Sequence, residues 1–337
     1  MRHLAAIALL FVASIGSAAE QPITVRVGFF PNLTHSPAIA ARQLEREGAD
    51  WHLAHLPPGS KIEWRSYNAG PSAMEALLAG AIDLTYVGPS PVINAHVRTK
   101  GQQIRILAPV AHAGNALVVR KGLNLKTPKD FIGRRVATPQ LGNTQDIEAR
   151  VWLKQGGLKI ALNGGDAQII PAANAELVLL FSRGDVDAAW TVEPWVTRLT
   201  TEFGGEILVE NKESIITVLA SSKTALSKNK RGIEAFVQSH YLLRDKLLAD
   251  QAWHEKLICN GIGGETRSAA PQAKLISTAL SRVVFDARED DATRKARLTS
   301  ALTQALKDSQ ASGLLNGDAP IEPLLESLIA DPAPAQK

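Results

Sequence analysis

Apolar and polar positions along the chain alternate between two regimes, a short run of period two and a longer stretch of helical period. Ile23-Thr24-Val25-Arg26-Val27-Gly28-Phe29 alternates and is β-branched, which predicts a strand, and a loop from Phe30 to Ser36 leads to a helix over Pro37 to Gly48. Lys61 to Tyr67 predicts a second strand, after which Asn68-Ala69-Gly70-Pro71 turns into a helix begun by Ser72, with Glu75 three residues on. Asp83 to Val87 is the third strand; Gly88-Pro89-Ser90-Pro91 then opens a helix with Ser90 as its cap and Pro91 at its first position. Ile104 to Ala111 is the fourth strand. Strands alternating with helices argue for a parallel, two-sided sheet with ligand loops at the strand C-termini.

From Gly114 the pattern restarts. Ala116 to Arg120, Arg135 to Ala137, Gln168 to Ile170, Val186 to Trp190 and Glu206 to Val209 predict strands. Helices are predicted over Pro128 to Ile132, from Asn143-Thr144 to Gly156-Gly157, and after a cap at Asn174. A passage also recurs: Leu78-Ala79-Gly80-Ala81-Ile82-Asp83-Leu84-Thr85-Tyr86 is echoed by Ser182-Arg183-Gly184-Asp185-Val186-Asp187-Ala188-Ala189-Trp190. Each copy ends a helical run at a glycine and opens an apolar strand. Two related α/β lobes with a ligand cleft between them follow: residues 20–112 as the first part of lobe 1, 113–214 as lobe 2, and 215–330 as the return to lobe 1 and the C-terminal helices. Ile215 to Ala220 reads as the chain crossing back, and the remainder from Arg231 is helical in period, with turn chemistry at Gly261-Ile262-Gly263-Gly264. Residues 331–337, with two prolines, read as a frayed tail.

The length of 337 residues suits two lobes, and 45% hydrophobic with 21% charged residues excludes a largely disordered chain. Met1-Arg2-His3, the short apolar stretch Leu4 to Ile15 and the small residues Ser17-Ala18-Ala19 read as a signal peptide over residues 1–19, which places the product in the periplasm. The one cysteine, Cys259, leaves no thiol for lipid attachment near that cleavage point and suits a small core residue. The formal net charge of +4 is spread along the chain without aromatic interleaving, so nucleic-acid binding is disfavoured. No Gly-Lys-Ser or Gly-Lys-Thr phosphate loop occurs, so the chain is not itself an ATPase. The histidines, His96 and His112 among them, lack ligand spacing; neither a metal site nor a cofactor is expected.

Several predicted helix starts, at Ser72, Ser90, Asn143 or Thr144, and Asn174, follow strands. Free backbone N–H groups and the helix dipole at such ends bind an anion without a lysine, and hydroxyls add donors; singly, each is also an ordinary cap. Five segments in order, Phe30 to His35, Asn68 to Ser72, Tyr86 to Pro91, Ala137 to Asp146 and Ala189 to Trp195, resemble the periplasmic solute-binding proteins of the nitrate/sulfonate/taurine type of ABC importer. The resemblance runs from Ile23 to about Val209. It implies a type II periplasmic-binding-protein fold, two lobes joined by two crossovers that close on ligand. Carried onto matching positions, it implies that Asn32, Thr34, Gly70, Ser72, Gly88 and Ser90 face Gln140, Asn143, Thr144, Glu193 and Trp195 around a small oxyanion or sulfonate. Gly114-Asn115-Ala116 at the first crossover would add backbone donors. His35 either donates to the anion or supports the loop from behind. Glu193 either meets a ligand amine or closes a lobe-to-lobe salt bridge or backbone cap, and Trp195 either floors the cleft or packs between lobes. The stretch from Glu210 to Thr217 is shorter than the return loop expected of such proteins, which leaves the rear wall of the pocket open.

The function implied is capture of a small organic sulfonate of taurine or alkanesulfonate type, or a related anion, by a monomer that delivers it to an ABC permease in the inner membrane. Binding of nitrate or another small anion and a sensory role before a receptor kinase suit the same features. A pyrimidine-synthesis enzyme of the same fold is disfavoured, because Cys259 lies outside the binding loops and no nucleophile-base pair occurs.

Overall fold

The computed structural model describes residues 20–267 and 269–332; the leader read at residues 1–19 and the end of the tail, 333–337, lie outside the described residues. Within them the strand pattern forms two separate sheets. β1 (Thr24–Phe29), β2 (Lys61–Ser66), β3 (Leu84–Val87) and β4 (Ile104–Ala113) belong to the first. β5 (Asn115–Val119), β6 (Arg135–Thr138), β7 (Gln168–Pro171), β8 (Ala188–Val192) and β9 (Glu206–Glu210) form the second. The chain then returns to the first with β10 (Ile215–Ser222) and β11 (Val283–Phe285).

The two sheets follow one plan. Their orders are β2-β1-β3-β10-β4-β11 and β7-β6-β8-β5-β9. In each, the first three strands run parallel and the fourth is antiparallel to both neighbours. The parallel sheets expected from the sequence are therefore mixed, because each lobe takes its fourth strand from the chain just after a crossover. The echoed passage occupies equivalent places. Gly80 and Gly184 both take positive φ, 72° and 80°, at the end of a helix. Asp83 and Asp187 then each accept a backbone N–H of the neighbouring parallel strand, Arg26 N within β1 to Asp83 Oδ2 and Arg135 N at the start of β6 to Asp187 Oδ2, both at 2.8 Å.

Helices α1 (Ser36–Arg46), α2 (Gly70–Leu78) and α3 (Pro89–Arg98) follow the first three strands; α4 (Thr144–Gln155), α5 (Asn174–Arg183) and α6 (Trp195–Phe203) belong to the second sheet. After β10 come α7 (Lys223–Ala249), α8 (Gln251–Thr266), α9 (Ala273–Leu280) and α10 (Asp291–Ser312). One buried apolar cluster runs from Val25, Phe29 and Ile39 through Leu219 to Val118, Phe181 and Val196, so it is continuous across both lobes. A second packs α2, α3 and α10 on the other face of the first sheet, and a third packs Phe131, Leu153 and Trp190 in lobe 2.

Several local expectations are corrected. Ser72 and Ser90 are not caps: α2 begins at Gly70 behind Ala69, and α3 at Pro89 behind Gly88. In each a proline falls in the first turn, where a missing N–H is harmless, and this draws the start forward. Asn174 likewise lies inside α5, with Ala173 as N-cap. Gly261 to Gly264 form no turn but run within α8, which packs against α1; a Cβ on Gly261 would stand 2.5 Å from Ile39 Cγ2. β11 was not anticipated. Asp331 is no frayed residue, since it holds Arg244 at 2.8 Å and Arg294 at 2.9 Å.

The equivalence of the two aspartates is testable by urea unfolding. Asp83→Ala and Asp187→Ala should each cost about 1–3 kcal/mol, because each leaves a strand N–H without its acceptor. A loss under about 0.5 kcal/mol at either position would show that its carboxylate does not fix that strand.

Candidate functional site

The C-terminal ends of the parallel strands of both sheets face one another and enclose a polar cavity of about 30 Å³, where one water needs roughly 10–15 Å³. Lobe 1 supplies Phe30, Asn32, Thr34 and His35 after β1, Asn68 to Gly70 after β2, and Gly88 and Pro91 after β3. Lobe 2 supplies Pro139, Asn143, Thr144 and Gln145 after β6 and Val192 at the end of β8, while Ile216 of β10 closes the rear. Of the residues singled out in the sequence, Asn32, Thr34, His35, Gly70, Gly88, Asn143 and Thr144 thus come together. Asn68, Pro139 and Gln145 stand beside them in the same motifs and were passed over. Ile216 supplies the wall that the short stretch before β10 left unassigned.

No aspartate, glutamate, lysine or arginine lines this cavity. What faces it instead is the start of three helices, α2, α3 and α4, from both lobes. Burial lowers the pKa of His35 to about 3, so the ring is neutral. Its Nδ1 accepts the Phe30 N–H at 3.2 Å, which leaves Nε2–H as its donor. The turn before α4 is rigid for electrostatic reasons. Buried Asp146 accepts the Gly142 N–H and the Thr138 hydroxyl and pairs with buried Arg150 at 2.9 Å, while Asn143 Oδ1 caps the Asp146 N–H. This fixes Thr144, whose Oγ1 is buried without a partner among the described residues. Gly88 meets it from the other lobe so closely that a Cβ there would stand 2.4 Å from Thr144 Oγ1.

The lobes are drawn together by polar contacts around the cavity. Asn32 Oδ1 accepts from Trp195 Nε1 at 2.9 Å and Asn174 Nδ2 at 3.4 Å; the Leu33 N–H donates to the Glu193 carbonyl at 2.8 Å. Asn68 Nδ2 donates to the Pro139 carbonyl at 2.9 Å and Ser72 Oγ to Gln140 Oε1 at 3.5 Å. Ser72, Gln140 and Trp195 are therefore joined across the gap and do not line the cavity, and Ser90 lines an outer groove. Asn115 stands opposite Val192 in the ladder between β5 and β8 and does not line the cavity. Glu193 takes the lobe-joining role. Its carboxylate accepts the Thr197 N–H and hydroxyl, both at 3.0 Å, and lies 2.8 Å from Arg282 Nε. Arg282 reaches Glu210 as well, at 2.7 Å, and both contacts are ion pairs rather than aligned hydrogen bonds. Burial outweighs these partners and pushes Glu193 up to about 7. Arg282, in a segment that reads only as helical, gave no sequence signal.

A sequence model of the NMT1-like family matches residues 18–257. The chain belongs to the NMT1-like family. Among curated relatives, the taurine-binding periplasmic protein of Escherichia coli strain K12 is 27% identical over 187 residues, 54% of this chain and 56% of the relative. A putative aliphatic sulfonates-binding protein of the same organism is 28% identical, with 62% of each chain aligned. The chain thus spans little more than half the length of these relatives. A putative binding protein of Brucella abortus strain 2308 aligns over 92% of this chain and 88% of its own at 24% identity. Among solved structures, the alkanesulfonate-binding protein SsuA from Xanthomonas axonopodis pv. citri bound to MOPS matches 91% of this chain and 99% of that chain, with TM-score 0.70 and 20% identity. The periplasmic nitrate-binding protein NrtA from Synechocystis PCC 6803 matches 91% and 92%, with TM-score 0.64 and 15% identity. At such identity the likeness establishes the fold, the two-lobed periplasmic-binding-protein architecture of this NMT1-like chain.

Two outcomes follow for the cleft. Gly88→Ala should keep the fold yet weaken ligand binding about tenfold, since closure then costs roughly 1–3 kcal/mol of overlap at Thr144; unchanged affinity by calorimetry would show that the lobes need not approach this far. Glu193 carries the pH dependence. Its pKa is about 7 folded against 4.5 for the ordinary carboxyl, so the folded state holds the extra proton and stability falls as pH rises from 4.5 to 7. Relative to Glu193→Gln, the wild type should lose up to about 3 kcal/mol more between pH 4.5 and 8 in denaturant melts, and parallel profiles would contradict the assignment.

Proposed function

We propose that this NMT1-like protein is a periplasmic solute-binding protein that captures a small organic sulfonate, or a related anion, and presents it to the permease of an ABC importer. The observation that carries this reading is the composition of the cavity wall: three helix N-termini from two lobes, with buried hydroxyl and amide side chains and no ionised side chain. Such a wall offers several N–H donors and partial positive charge to a compact oxyanion, without a counter-ion that would have to be desolvated. Among the described residues no helix is long and apolar enough to cross a membrane.

Ligand contacts from both walls favour the closed arrangement over an open one by their differential binding energy, and the permease reads the closed form. The taurine and sulfonate relatives support a sulfonate. A second reading, nitrate or another bare oxyanion, is favoured by the small cavity alone, although the larger groove that begins at Thr144 leaves room for an organic tail.

Calorimetric titration with ethanesulfonate, 2-aminoethanesulfonate and nitrate tests the reading, together with mass spectrometry of ligand retained on protein taken from the periplasm. A sulfonate should bind and nitrate should bind more weakly; nitrate as the tighter ligand would establish the second reading. Tryptophan emission should change on binding, because Trp195 bonds Asn32 across the gap only when the lobes meet. Trp195→Phe should remove most of that change, and a signal fully kept by this variant would place the reporter elsewhere.

A further inference from the structure

α10 belongs to lobe 1 by its core and reaches lobe 2 by its end. Leu298, Leu302 and Leu306 pack with α2 and α3 on the first sheet, whereas Leu153 of α4 packs inside lobe 2. The two helices nevertheless touch, and a groove of about 700 Å³ opens between them. At the end of this seam stands Lys154, in the last turn of α4. Its ammonium donates to the carbonyls of the last two residues of α10, Ala311 at 3.0 Å and Ser312 at 2.8 Å. Among the described residues no backbone N–H takes either carbonyl. α10 stops at Gly313, with φ of 82°, where a Cβ would stand 3.2 Å from Lys154 Nζ. The carbonyl ends of both helices carry negative partial charge, so their approach is unfavourable until one cation serves both.

Farther from the helix ends the seam has the opposite balance. Glu148 of α4 and Asp308 of α10 line the groove from opposite lobes. Glu148 accepts from Asn115 Nδ2 and Asp308 from Gln304 Nε2 at 2.8 Å, and neither donor is a cation. The basic residue of the groove, Arg297, is held by Asp286 at 2.7 Å and Glu289 at 2.6 Å. Burial pushes the Glu148 carboxyl up to about 7, and the negative charge of Asp308 adds to the shift. None of Lys154, Glu148, Asp308, Ala311 and Ser312 lines the cavity, so whatever the seam does to binding it does without touching the ligand there.

We propose that Lys154 is a positioning residue for ligand capture: by fastening α4 to the carbonyl end of α10 it holds the lobes together outside the cavity, against the opposed carboxyls of Glu148 and Asp308. The inference depends on closure of the two lobes and not on which anion the cavity takes. Apparent affinity scales with the fraction of the protein that is already in the binding-competent arrangement. A contact that favours closure therefore tightens every ligand by one common factor, whereas a residue that touches the ligand discriminates among ligands. Lys154 and the carboxyl pair act on the same equilibrium with opposite signs, which a merely structural seam would not do.

The test combines calorimetry at pH 8 with ethanesulfonate, 2-aminoethanesulfonate and nitrate, and small-angle scattering of the ligand-free protein. Lys154→Met should weaken each anion that binds by the same factor, about tenfold, and Lys154→Arg, which keeps the charge and the donors, should restore most of it. Asp308→Asn, which relieves the opposed carboxyls, should tighten each by about threefold. Unequal factors among the anions in Lys154→Met would show that the lysine acts on the ligand, and weaker binding in Asp308→Asn would show a seam that only packs; either overturns the proposal. So does an affinity within twofold of the wild type in Lys154→Met together with an unchanged ligand-free radius of gyration. If none of the three anions binds the wild type, the anion reading fails by itself. Scattering then decides the seam: a larger radius in Lys154→Met supports the proposal, and an unchanged one overturns it.

Discussion

The cleft depends on the direction of two strands. β10 lies between β3 and β4, and β5 lies next to β8, each antiparallel to its neighbours. An antiparallel strand begins at the end of the sheet where its parallel neighbours finish, so both strands start among the ligand loops. Ile216 consequently reaches the cavity wall, and Asn115 stands opposite Val192. Each is hydrogen-bonded on both sides and deeply buried, so neither can slide without losing two ladders. The connections between the lobes thus run directly from one sheet into the other, beside the polar contacts that join the two walls.

The cavity and its surroundings divide the electrostatic work. At the centre the wall is polar but uncharged, and a neutral His35 contributes geometry rather than charge. Carboxyl–arginine pairs stand one layer back, where Asp146 with Arg150 stiffens the turn before Thr144 and Glu193 with Arg282 joins the lobes. An anion can then bind on dipoles without competing with a resident carboxylate. The arrangement carries a cost, since Glu193 is fully buried and is relieved by one partly exposed arginine.

Most strands were legible in the sequence because a period of two is a property of the strand itself, and the echoed helix-to-strand passage proved to be one structural joint used twice. Helix starts were less legible. In Gly88-Pro89-Ser90-Pro91 two prolines compete for the first turn, and hydroxyl chemistry favoured the wrong one. Seven of the thirteen site residues read from the sequence meet at the cavity, because loops after parallel strands share one end of a sheet. The others lie off the cavity wall, because whether a side chain faces a ligand or the opposite lobe depends on the angle between lobes, which no local pattern encodes. Arg282 was invisible because its meaning comes from Glu193 and Glu210, far away in the chain.

The two crossovers touch. The Ala113 N–H donates to the Ser214 carbonyl at 3.0 Å and the Glu193 N–H to Gly114 at 2.9 Å, with Arg282 alongside. A line through these contacts behaves as the pin of a door. Rotation about it moves nearby atoms least, and the Arg282 clasp to Glu193 and Glu210 lies alongside. The charged pairing between the lobes therefore sits at the axis itself.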